Sequence, residues 1–439
     1  MGAATVTSSH RSMAVAVVAF SAAATTFLLA AATAAAASPV PAIYVLGDSI
    51  ADVGNNNHLP TFLRADFPHN GIDYPGRKAT GRFSNGNNSV DFIGGSLLVL
   101  HLVYTGYYST DSYFLSWVEN SVPVVLVENA VLVPVGKDQR SKNPSETKFS
   151  RRKRSHLVTA DNLGLASPPP YLALSRSNAN YANGVNFASG GAGVSKATNK
   201  DVVVQGLCIS FDKQIDYYSS VYASLAQSLG QAQAAAHLSK SLFVITIGSN
   251  DIIHYAKSSS AAGNLPPQPF VDALIQTLTA QLQRLYDLGA RKLVFLGTAP
   301  VGCCPRLRKL SAARDCSAVA NDASVRYNAA AASLLGGMAA RHPDMHYALF
   351  DSSAALLPFI NTPTAYGFAE ARVACCGLGD MNAKIGCTPL SSYCANRMTH
   401  VFWDLYHPTE ATAQKLTSMA FDGSVPLIFP MNIRQLSAL

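Results

Sequence analysis

The chain has 439 residues, of which 49% are hydrophobic and only 13% are charged. This length and apolar content support one large domain or two ordinary ones, and they exclude a chain that is disordered as a whole. The formal net charge of +7 is modest and partly local, and no zinc-finger spacing or aromatic-basic motif accompanies it, so nucleic acid is not an expected partner.

The first 37 residues are typical of a secretory signal. After Arg11, an uncharged run rich in Ala, Val, Phe and Leu leads to the small residues Ala35–Ala37, which is a cleavage-site pattern. An uncleaved membrane anchor is the alternative, and the weak hydrophobicity of alanine disfavours it. We expect residues 1–37 to be removed, which leaves a secreted protein of residues 38–439 with no stable membrane anchor.

The first predicted strand is Ala42–Gly47, an aliphatic run that ends abruptly at Gly47-Asp48-Ser49. In open parallel sheets, ligands collect at the carboxyl ends of the strands, so a serine fixed there is a plausible nucleophile. An ordinary turn or helix cap is the alternative for an isolated Gly-Asp-Ser. Ser49 is therefore a candidate whose partners must be sought elsewhere in the chain.

A long loop is predicted after this turn, because residues 52–57 and 68–88 are rich in Gly, Asn and Pro. Loops of this kind usually shape a substrate cleft. The loop ends in Asn87-Asn88-Ser89, the only Asn-X-Ser/Thr sequence of the chain in which X is not proline. Asn87 is thus a candidate for glycosylation. A helix is predicted to begin at Ser89.

Residues 96–160 differ in character from both flanks. Aliphatic runs without a helical or strand period lead to the basic tract Lys148–Arg154, whose composition is typical of a solvated or disordered segment. A membrane-interacting or anion-binding segment is the functional alternative. We interpret residues 96–160 as an atypical insert that defines no packed element.

Beyond the insert, predicted strands and helices alternate. The four further strands are apolar runs that end in polar or Gly-rich turns: a short strand before Gly190, then Leu242–Ile247, Arg291–Gly297 and Met345–Asp351. The helices have apolar residues at helical spacing: Cys208–Leu229, Ser219–His237, Phe270–Leu288 with Gly289 as its C-cap, Cys316–Ala340 and Ala411–Ala420. This alternation predicts one α/β domain with a five-stranded parallel sheet that is covered on both faces.

Polar groups follow several of these strands. The Gly-rich turn after Asn186 can offer backbone N–H groups to an oxyanion, and the Asn250 amide follows the strand Leu242–Ile247. Asp404 and His407 are three residues apart, so on a helical turn they would share a face, and the carboxylate could fix the tautomer of the imidazole. A tight turn, a helix cap and a structural histidine are the respective alternatives.

The eight cysteines fit an oxidising compartment. Seven of them lie in the last third of the chain, and an even count predicts disulfides that staple the C-terminal loops: Cys208, Cys303, Cys304, Cys316, Cys375, Cys376, Cys387 and Cys394. Their pairing cannot be deduced from spacing. Metal binding is the competing interpretation, and the lack of Cys-X-X-Cys pairs with nearby histidines disfavours it.

Four separated blocks together resemble the plant GDSL esterase/lipase family of the SGNH hydrolase superfamily. They are Gly47-Asp-Ser49 with Asp52-Val-Gly-Asn-Asn-Asn57, Asn186-Phe-Ala-Ser-Gly-Gly-Ala-Gly193, Gly248-Ser-Asn-Asp251, and Asp404-X-X-His407-Pro-Thr. The likeness runs from about Ala42 to the C-terminus, apart from the insert, and includes Gly81-Arg-Phe-Ser-Asn-Gly86. It implies a flavodoxin-like α/β/α sandwich, in agreement with the predicted five-stranded sheet.

The resemblance also implies roles for individual residues. Ser49 would be the nucleophile, His407 the general base and acid, and Asp404 the group that orients His407. The oxyanion hole would consist of the Ser49 amide, the Gly190 amide and the Asn250 side chain, with Gly191 as the neighbouring alternative to Gly190. No metal and no organic cofactor would be required.

The implied function is that of a secreted serine esterase/lipase that hydrolyses carboxylic esters through an acyl-enzyme intermediate. Its partner would be an ester of a lipid, an acylated polysaccharide or a small molecule, and its location the cell wall or apoplast. An acyltransferase that uses the same site and a catalytically dead secreted binding protein are the alternatives. Acyl chain length, alcohol moiety and oligomeric state are left open.

The insert departs from the family pattern. In the family, the helix at Asp91-Phe-Ile93 passes within a few residues to a Leu-Gly-Leu-Pro-like segment, whereas some 65 residues intervene here. Both flanks resume the pattern, so we hypothesise that residues 96–160 are translated intron sequence from a gene model. Peptides from the native protein that span Val122 to Arg154 would refute this hypothesis.

Overall fold

The computed structural model describes residues 39–94, 163–174, 180–198, 207–261 and 265–439. The chain divides into two units, residues 1–96 with 160–439 and residues 97–159, and every described residue belongs to the first unit. The predicted signal in residues 1–37 and the predicted insert at 96–160 therefore lie outside the described residues.

A six-stranded sheet forms the centre of the described unit, in the order β2-β1-β3-β4-β5-β8. Its strands are β1 Ile43–Gly47, β2 Val185–Asn186, β3 Leu242–Thr246, β4 Lys292–Leu296, β5 His346–Phe350 and β8 Ile428–Phe429. The first five are parallel, as predicted. The antiparallel edge strand β8 was not predicted, because two residues are too short to show a period.

The strands are mostly apolar because both faces of the sheet are covered. Tyr44 and Leu46 of β1 belong to one buried apolar cluster, and Ile43 and Val45, which point the opposite way, belong to a second cluster. Each of these four side chains is at most 1% exposed. The flavodoxin-like α/β/α sandwich that the resemblance implied is thus confirmed.

The helices form the two outer layers. They are α1 Ser89–Gly94, α2 Phe211–Leu229, α3 Gln231–Lys240, α4 Ser249–Ala261, α5 Gln268–Asp287, α6 Pro305–Leu310, α7 Ala318–Arg341, α8 Ser352–Asn361, α9 Glu410–Asp422 and α10 Ile433–Ser437. Helices α2, α3, α4, α5 and α7 contribute to the first cluster and α1 and α10 to the second, whereas α8 and α9 contribute to both.

Two details of the helices differ from prediction. The overlapping helical patterns of Cys208–Leu229 and Ser219–His237 resolve into α2 and α3, which are separated at Gly230, where φ is +84°. The short helices α6, α8 and α10 were not predicted, because five to ten residues give too few turns for an apolar stripe to stand out.

Disulfides were predicted for the C-terminal loops, and the described residues contain three of them: Cys303–Cys316, Cys375–Cys394 and Cys376–Cys387. The last two hold a small antiparallel pair, β6 Cys376–Gly377 and β7 Ser392–Tyr393. Cys208 and Cys304 are free thiols. In the part of the chain that the structure describes, no helix combines the length and the apolar content that a bilayer span needs.

Candidate functional site

Three side chains from distant parts of the chain form one hydrogen-bonded series. Ser49 follows the carboxyl end of β1, and its Oγ lies 2.6 Å from Nε2 of His407. The other ring nitrogen, Nδ1, lies 2.7 Å from Oδ1 and 2.9 Å from Oδ2 of Asp404. A carboxylate only accepts, so Nδ1 carries the proton, and Nε2 is left to accept from the Ser49 hydroxyl.

Asp404 and His407 do not lie on a helical turn, and that prediction is wrong. The segment is a non-helical turn in which Oδ1 of Asp404 accepts from the backbone N–H groups of Tyr406 and His407, both at 2.9 Å. Burial alone would raise the pKa of Asp404, but the charge of His407 and these hydrogen bonds bring it below its usual value. Asp404 is therefore held as a carboxylate against the imidazole.

The end of β1 is fixed on two sides. Gly47 has φ +153°, and a Cβ built there would lie 2.2 Å from the Thr246 carbonyl oxygen, so only glycine fits. On the other side, buried Gln214 of α2 accepts from the Gly47 N–H and donates to the Gly47 carbonyl, both at 2.8 Å. Gln214 therefore anchors the backbone two residues before Ser49.

The backbone N–H of Gly190, the predicted oxyanion-hole donor, is bonded to a buried carboxylate, and its role in the oxyanion hole stays a prediction. It donates to Oδ2 of Asp52 at 3.0 Å, while Oδ1 of Asp52 accepts from the N–H groups of Gly54 and Asn55. The Asn56 side chain also donates to the Gly190 carbonyl. These bonds tie the turn after β2 to the loop after Ser49.

Gly190 also leaves space for a ring that contacts His407. The ring centroids of Phe83 and His407 are 4.8 Å apart, and a Cβ built on Gly190 would lie 2.7 Å from the Phe83 ring. Phe83 follows Arg82, whose guanidinium makes two hydrogen bonds of 2.7 Å to buried Asp91 of α1. This ion pair holds the loop that brings Phe83 against His407.

Gly190→Ala is expected to displace Phe83 and to lower ester hydrolysis, measured as kcat/KM, by about 10²-fold, since small misplacements in a site have effects of that size. Gly336→Ala is the matched control, because a Cβ there would make only an ordinary 3.5 Å contact. A Gly190→Ala enzyme as active as the Gly336→Ala enzyme would contradict the steric role of Gly190.

Two further N–H groups lie at the candidate site. No acceptor for the Ser49 backbone N–H occurs within residues 39–94 or the other described segments. Asn250 is the second residue of α4, and one hydrogen of its amide is donated to the Ala192 carbonyl at 2.9 Å. Among the described residues the second hydrogen of this amide has no acceptor. The positive end of the α4 dipole lies at the same place and favours negative charge there.

A cavity of about 320 Å³ opens beside Ser49 and His407. Most of its lining is apolar, and Gly190, Gly191 and Asn250 also contribute to it. The sequence-predicted candidates Ser49, Asn250, Gly190 and His407 thus share one cavity, and Asp404 lies behind His407. Within the described residues, no group of three or more His, Cys, Asp or Glu side chains is arranged to hold a metal ion.

Buried carboxyl groups lie behind the serine. Burial raises the pKa of Asp48 to about 7, against the opposing effects of the Ile50 N–H and the charge of His407. Its Oδ2 has no hydrogen-bond partner in the described part of the chain. Burial also raises the pKa of Asp52, to about 6, and that of Asp251. Asp48 is therefore the carboxyl group that gains most from holding a proton.

Asp48→Asn is expected to change how stability depends on pH. The folded-state pKa of Asp48 lies above its unfolded value of 3.8. Its contribution to the free energy of unfolding is therefore complete below pH 4 and is lost as the pH rises through about 7. The free energy of unfolding should therefore fall with pH more steeply in the wild type than in the variant, by at most about 1.4 kcal/mol per pH unit. Urea titrations at pH 5 and pH 8 measure this, and a pH-independent difference would contradict it.

Asn87, the glycosylation candidate, is half-buried, and its side-chain amide is engaged. Its Nδ2 donates to Oε1 of Glu410 at 2.8 Å, and its backbone N–H donates to the same oxygen. A sugar would have to be attached to this nitrogen. Glycosylation of Asn87 stays a prediction, and in the folded structure the amide has the half-buried Glu410 as its partner.

Two residues of the site were missed as functional candidates. Phe83 lies in the Gly81–Gly86 block, but nothing in the sequence indicates that its ring reaches His407. Gln214 had a detectable signal, because it is a polar residue on the apolar face of α2, between Phe211 and Ile215. A buried polar side chain at such a position usually has a specific partner.

The chain was compared with protein families and with curated proteins. A family model described as GDSL-like Lipase/Acylhydrolase matches residues 109–418. The chain belongs to this family. The match begins after Ser49, so the first strand and its turn lie outside it. As a GDSL-type protein, the chain is a carboxylic ester hydrolase.

Similar proteins from Arabidopsis thaliana support the same assignment. GDSL esterase/lipase At5g55050 is 33% identical over 407 residues, which cover 90% of this chain and 90% of that protein. GDSL esterase/lipase At3g50400 is 32% identical over 409 residues, with 91% of each chain covered. GDSL esterase/lipase At5g37690 is 31% identical over 385 residues, or 87% and 88% of the two chains.

Proposed function

We propose that this GDSL hydrolase cleaves carboxylic esters with Ser49 as the nucleophile, His407 as the general base and acid, and Asp404 as the residue that orients His407. The observation that carries the proposal is the series Ser49 Oγ, His407, Asp404, with 2.6 and 2.7 Å between successive partners. Nucleophile and base within hydrogen-bond reach, with a third group that orients the base, is the arrangement that activates a serine.

The reaction proceeds in two steps. His407 takes the Ser49 proton through Nε2 while Oγ attacks the ester carbonyl, and the tetrahedral intermediate then expels the alcohol, which receives that proton. The second step uses water: His407 removes a proton from it, the hydroxide attacks the acyl-enzyme, and the acid leaves as the Ser49 hydroxyl re-forms. Asp404 stabilises the imidazolium in both steps.

The oxyanion of each intermediate is bound by N–H donors. We assign the Ser49 backbone N–H and the Asn250 amide, because both residues line the cavity. For the third donor, Gly190 and its neighbour Gly191 both line the cavity, and the proposal keeps these two glycines as the candidates.

A fluorophosphonate probe tests the proposal. We expect the wild type to be labelled on the peptide that contains Ser49, Ser49→Ala to lose labelling, and the exposed Ser418→Ala to be labelled like the wild type. Because Ser249 lines the same cavity, mass spectrometry must localise the label. Labelling that persists in Ser49→Ala would reject Ser49 as the nucleophile.

We also propose that the protein acts outside the cell, in the cell wall or apoplast, after removal of residues 1–37. The three disulfides support this compartment, because such bonds persist under oxidising conditions. Residues 38–439 would then form the hydrolase domain, interrupted by 96–160. Sequencing the N-terminus and the internal peptides of the native protein tests both boundaries and the intron hypothesis.

A further inference from the structure

The cavity beside Ser49 has an outer and an inner end. At the outer end, Ile50, Leu63, Ile253 and Tyr406 are partly accessible to solvent, and Lys257 is exposed. The inner end is lined by apolar side chains that are at most 8% exposed: Ile93, Leu296, Phe350, Leu356 and Ala420. The cavity therefore continues from the solvent past Ser49 into the protein.

Four of the five inner residues belong to the second apolar cluster, and the fifth, Leu356 of α8, belongs to the first. Leu296 ends β4 and Phe350 ends β5, and both belong to the same cluster as Ile93 of α1 and Ala420 of α9. A hydroxyl at this end, that of Thr417, is directed at the Ser89 carbonyl at 3.4 Å. The inner end thus provides mainly apolar surface, and the hydroxyl residues Ser89 and Ser352 of the same segments also line the cavity.

Charged residues of the cavity lie elsewhere. Among the described residues that line it, the ionisable side chains of Asp48, Lys257 and His407 come from the β1 turn, α4 and the segment before α9. A polar group that entered the inner end would lose its hydrogen bonds to water without replacement. An alkyl chain would gain by leaving water.

The volume of the cavity limits the length of such a chain. At roughly 30 Å³ for each water-sized group, 320 Å³ holds about ten non-hydrogen atoms. The ester group must lie at Ser49, near the outer end, so part of this volume is used by the reacting atoms. The remainder fits a medium-length acyl chain and is too small for a fully enclosed chain of sixteen carbons.

We propose that the inner end is an acyl pocket and that the preferred substrates are esters of unbranched aliphatic acids of about six to eight carbons. This inference rests on the proposed function, because the acyl chain enters the pocket only if Ser49 attacks its carbonyl. The alcohol moiety lies at the outer end, among the accessible residues around Lys257. Ala420 and Leu356 determine how long a chain is accepted.

The test is a series of p-nitrophenyl esters from acetate to hexadecanoate, with active sites counted by fluorophosphonate titration. Each methylene that the pocket removes from water raises kcat/KM by up to about fourfold, which corresponds to about 0.8 kcal/mol. We expect the octanoate to exceed the acetate by at least tenfold and the hexadecanoate to be a poorer substrate than the octanoate.

Two variants change the pocket in opposite directions. Ala420→Phe fills the inner end and should lower the octanoate-to-acetate ratio of kcat/KM at least tenfold. Leu356→Ala enlarges it and should move the optimum to longer chains. Ser418→Phe adds the same ring to an exposed position of α9 and should leave the ratio unchanged. Counting titrated sites keeps misfolded molecules out of the comparison.

The outcomes separate the two proposals. If Ser49 is labelled but the acetate is hydrolysed as well as the octanoate, or if neither Ala420→Phe nor Leu356→Ala changes the ratio, the acyl pocket is wrong and the nucleophile stands. If Ser49 cannot be titrated at all, the proposed function fails, and the acyl pocket fails with it.

Discussion

Asp404→Asn is expected to lower kcat by about 10⁴-fold while leaving the fold intact, as the loss of the correct histidine tautomer does in serine hydrolases. The asparagine Oδ1 can still accept from the backbone N–H groups of Tyr406 and His407, so the local turn should persist. Its Nδ2, however, is a donor where the carboxylate has an acceptor. This Nδ2 takes the place of Oδ2, 2.9 Å from Nδ1 of His407, so it opposes an Nδ1–H and favours the tautomer in which Nδ1 accepts, although Oδ1 is still an acceptor 2.7 Å from Nδ1.

The consequence falls on Ser49. A neutral imidazole that accepts at Nδ1 carries its proton on Nε2, the atom 2.6 Å from Ser49 Oγ, and can no longer remove the serine proton. The measurement is kcat for a p-nitrophenyl ester. The enzyme concentration is taken from the mass of protein, because fluorophosphonate labelling of Ser49 also fails in this variant. Asp422→Asn is the matched control, since Asp422 is an exposed partner of Arg434. A decrease below tenfold would show that Asp404 does not set the tautomer.

The central strands could be predicted because their composition allows few alternatives. Residues 242–246 and 292–296 are runs of strand length that are apolar except for Thr246 and Lys292. Each run is closely followed by a glycine, Gly248 or Gly297, and every residue in it is buried. The edge strand β8 has two residues and pairs with β5 from about 80 positions further along the chain. Its pairing depends on the tertiary fold rather than on a local pattern.

The site shows the same division between local and long-range information. The order of the four blocks indicated that Ser49 and His407 meet, and their side chains are hydrogen-bonded across 358 positions. The turn that carries Asp404 and His407 was predicted as helical from spacing alone. In the structure its conformation is set by the Asp404 carboxylate, which accepts hydrogen bonds from two backbone N–H groups of the turn. Spacing of three residues is compatible with both conformations.

Gly190 shows why a residue can be predicted without its role. A glycine-rich turn in a candidate site indicates that another group lies close to the backbone. The sequence alone does not identify that group. In the structure the neighbour is the Phe83 ring, and the Gly190 N–H is donated to Asp52. Such a contact joins residues more than 100 positions apart, so no local pattern encodes it.

Asn250→Ala is expected to lower kcat by about 10²- to 10³-fold with little change in KM, because the amide would stabilise charge that exists only in the transition state. Asn250 lines the cavity beside Ser49, and its bond to the Ala192 carbonyl fixes the direction of the amide. Pre-steady-state kinetics on a p-nitrophenyl ester should show that acylation itself slows.

Stability and catalysis must be separated in this variant, since the bond to Ala192 is lost as well. A net effect of about 1 kcal/mol on the free energy of unfolding is expected from that bond. Asn361→Ala, at the exposed C-terminal end of α8, is the control for the loss of an asparagine amide. If Asn250→Ala raised KM and left kcat unchanged, Asn250 would bind the ground state, and the oxyanion hole would have to be assigned to backbone N–H groups alone.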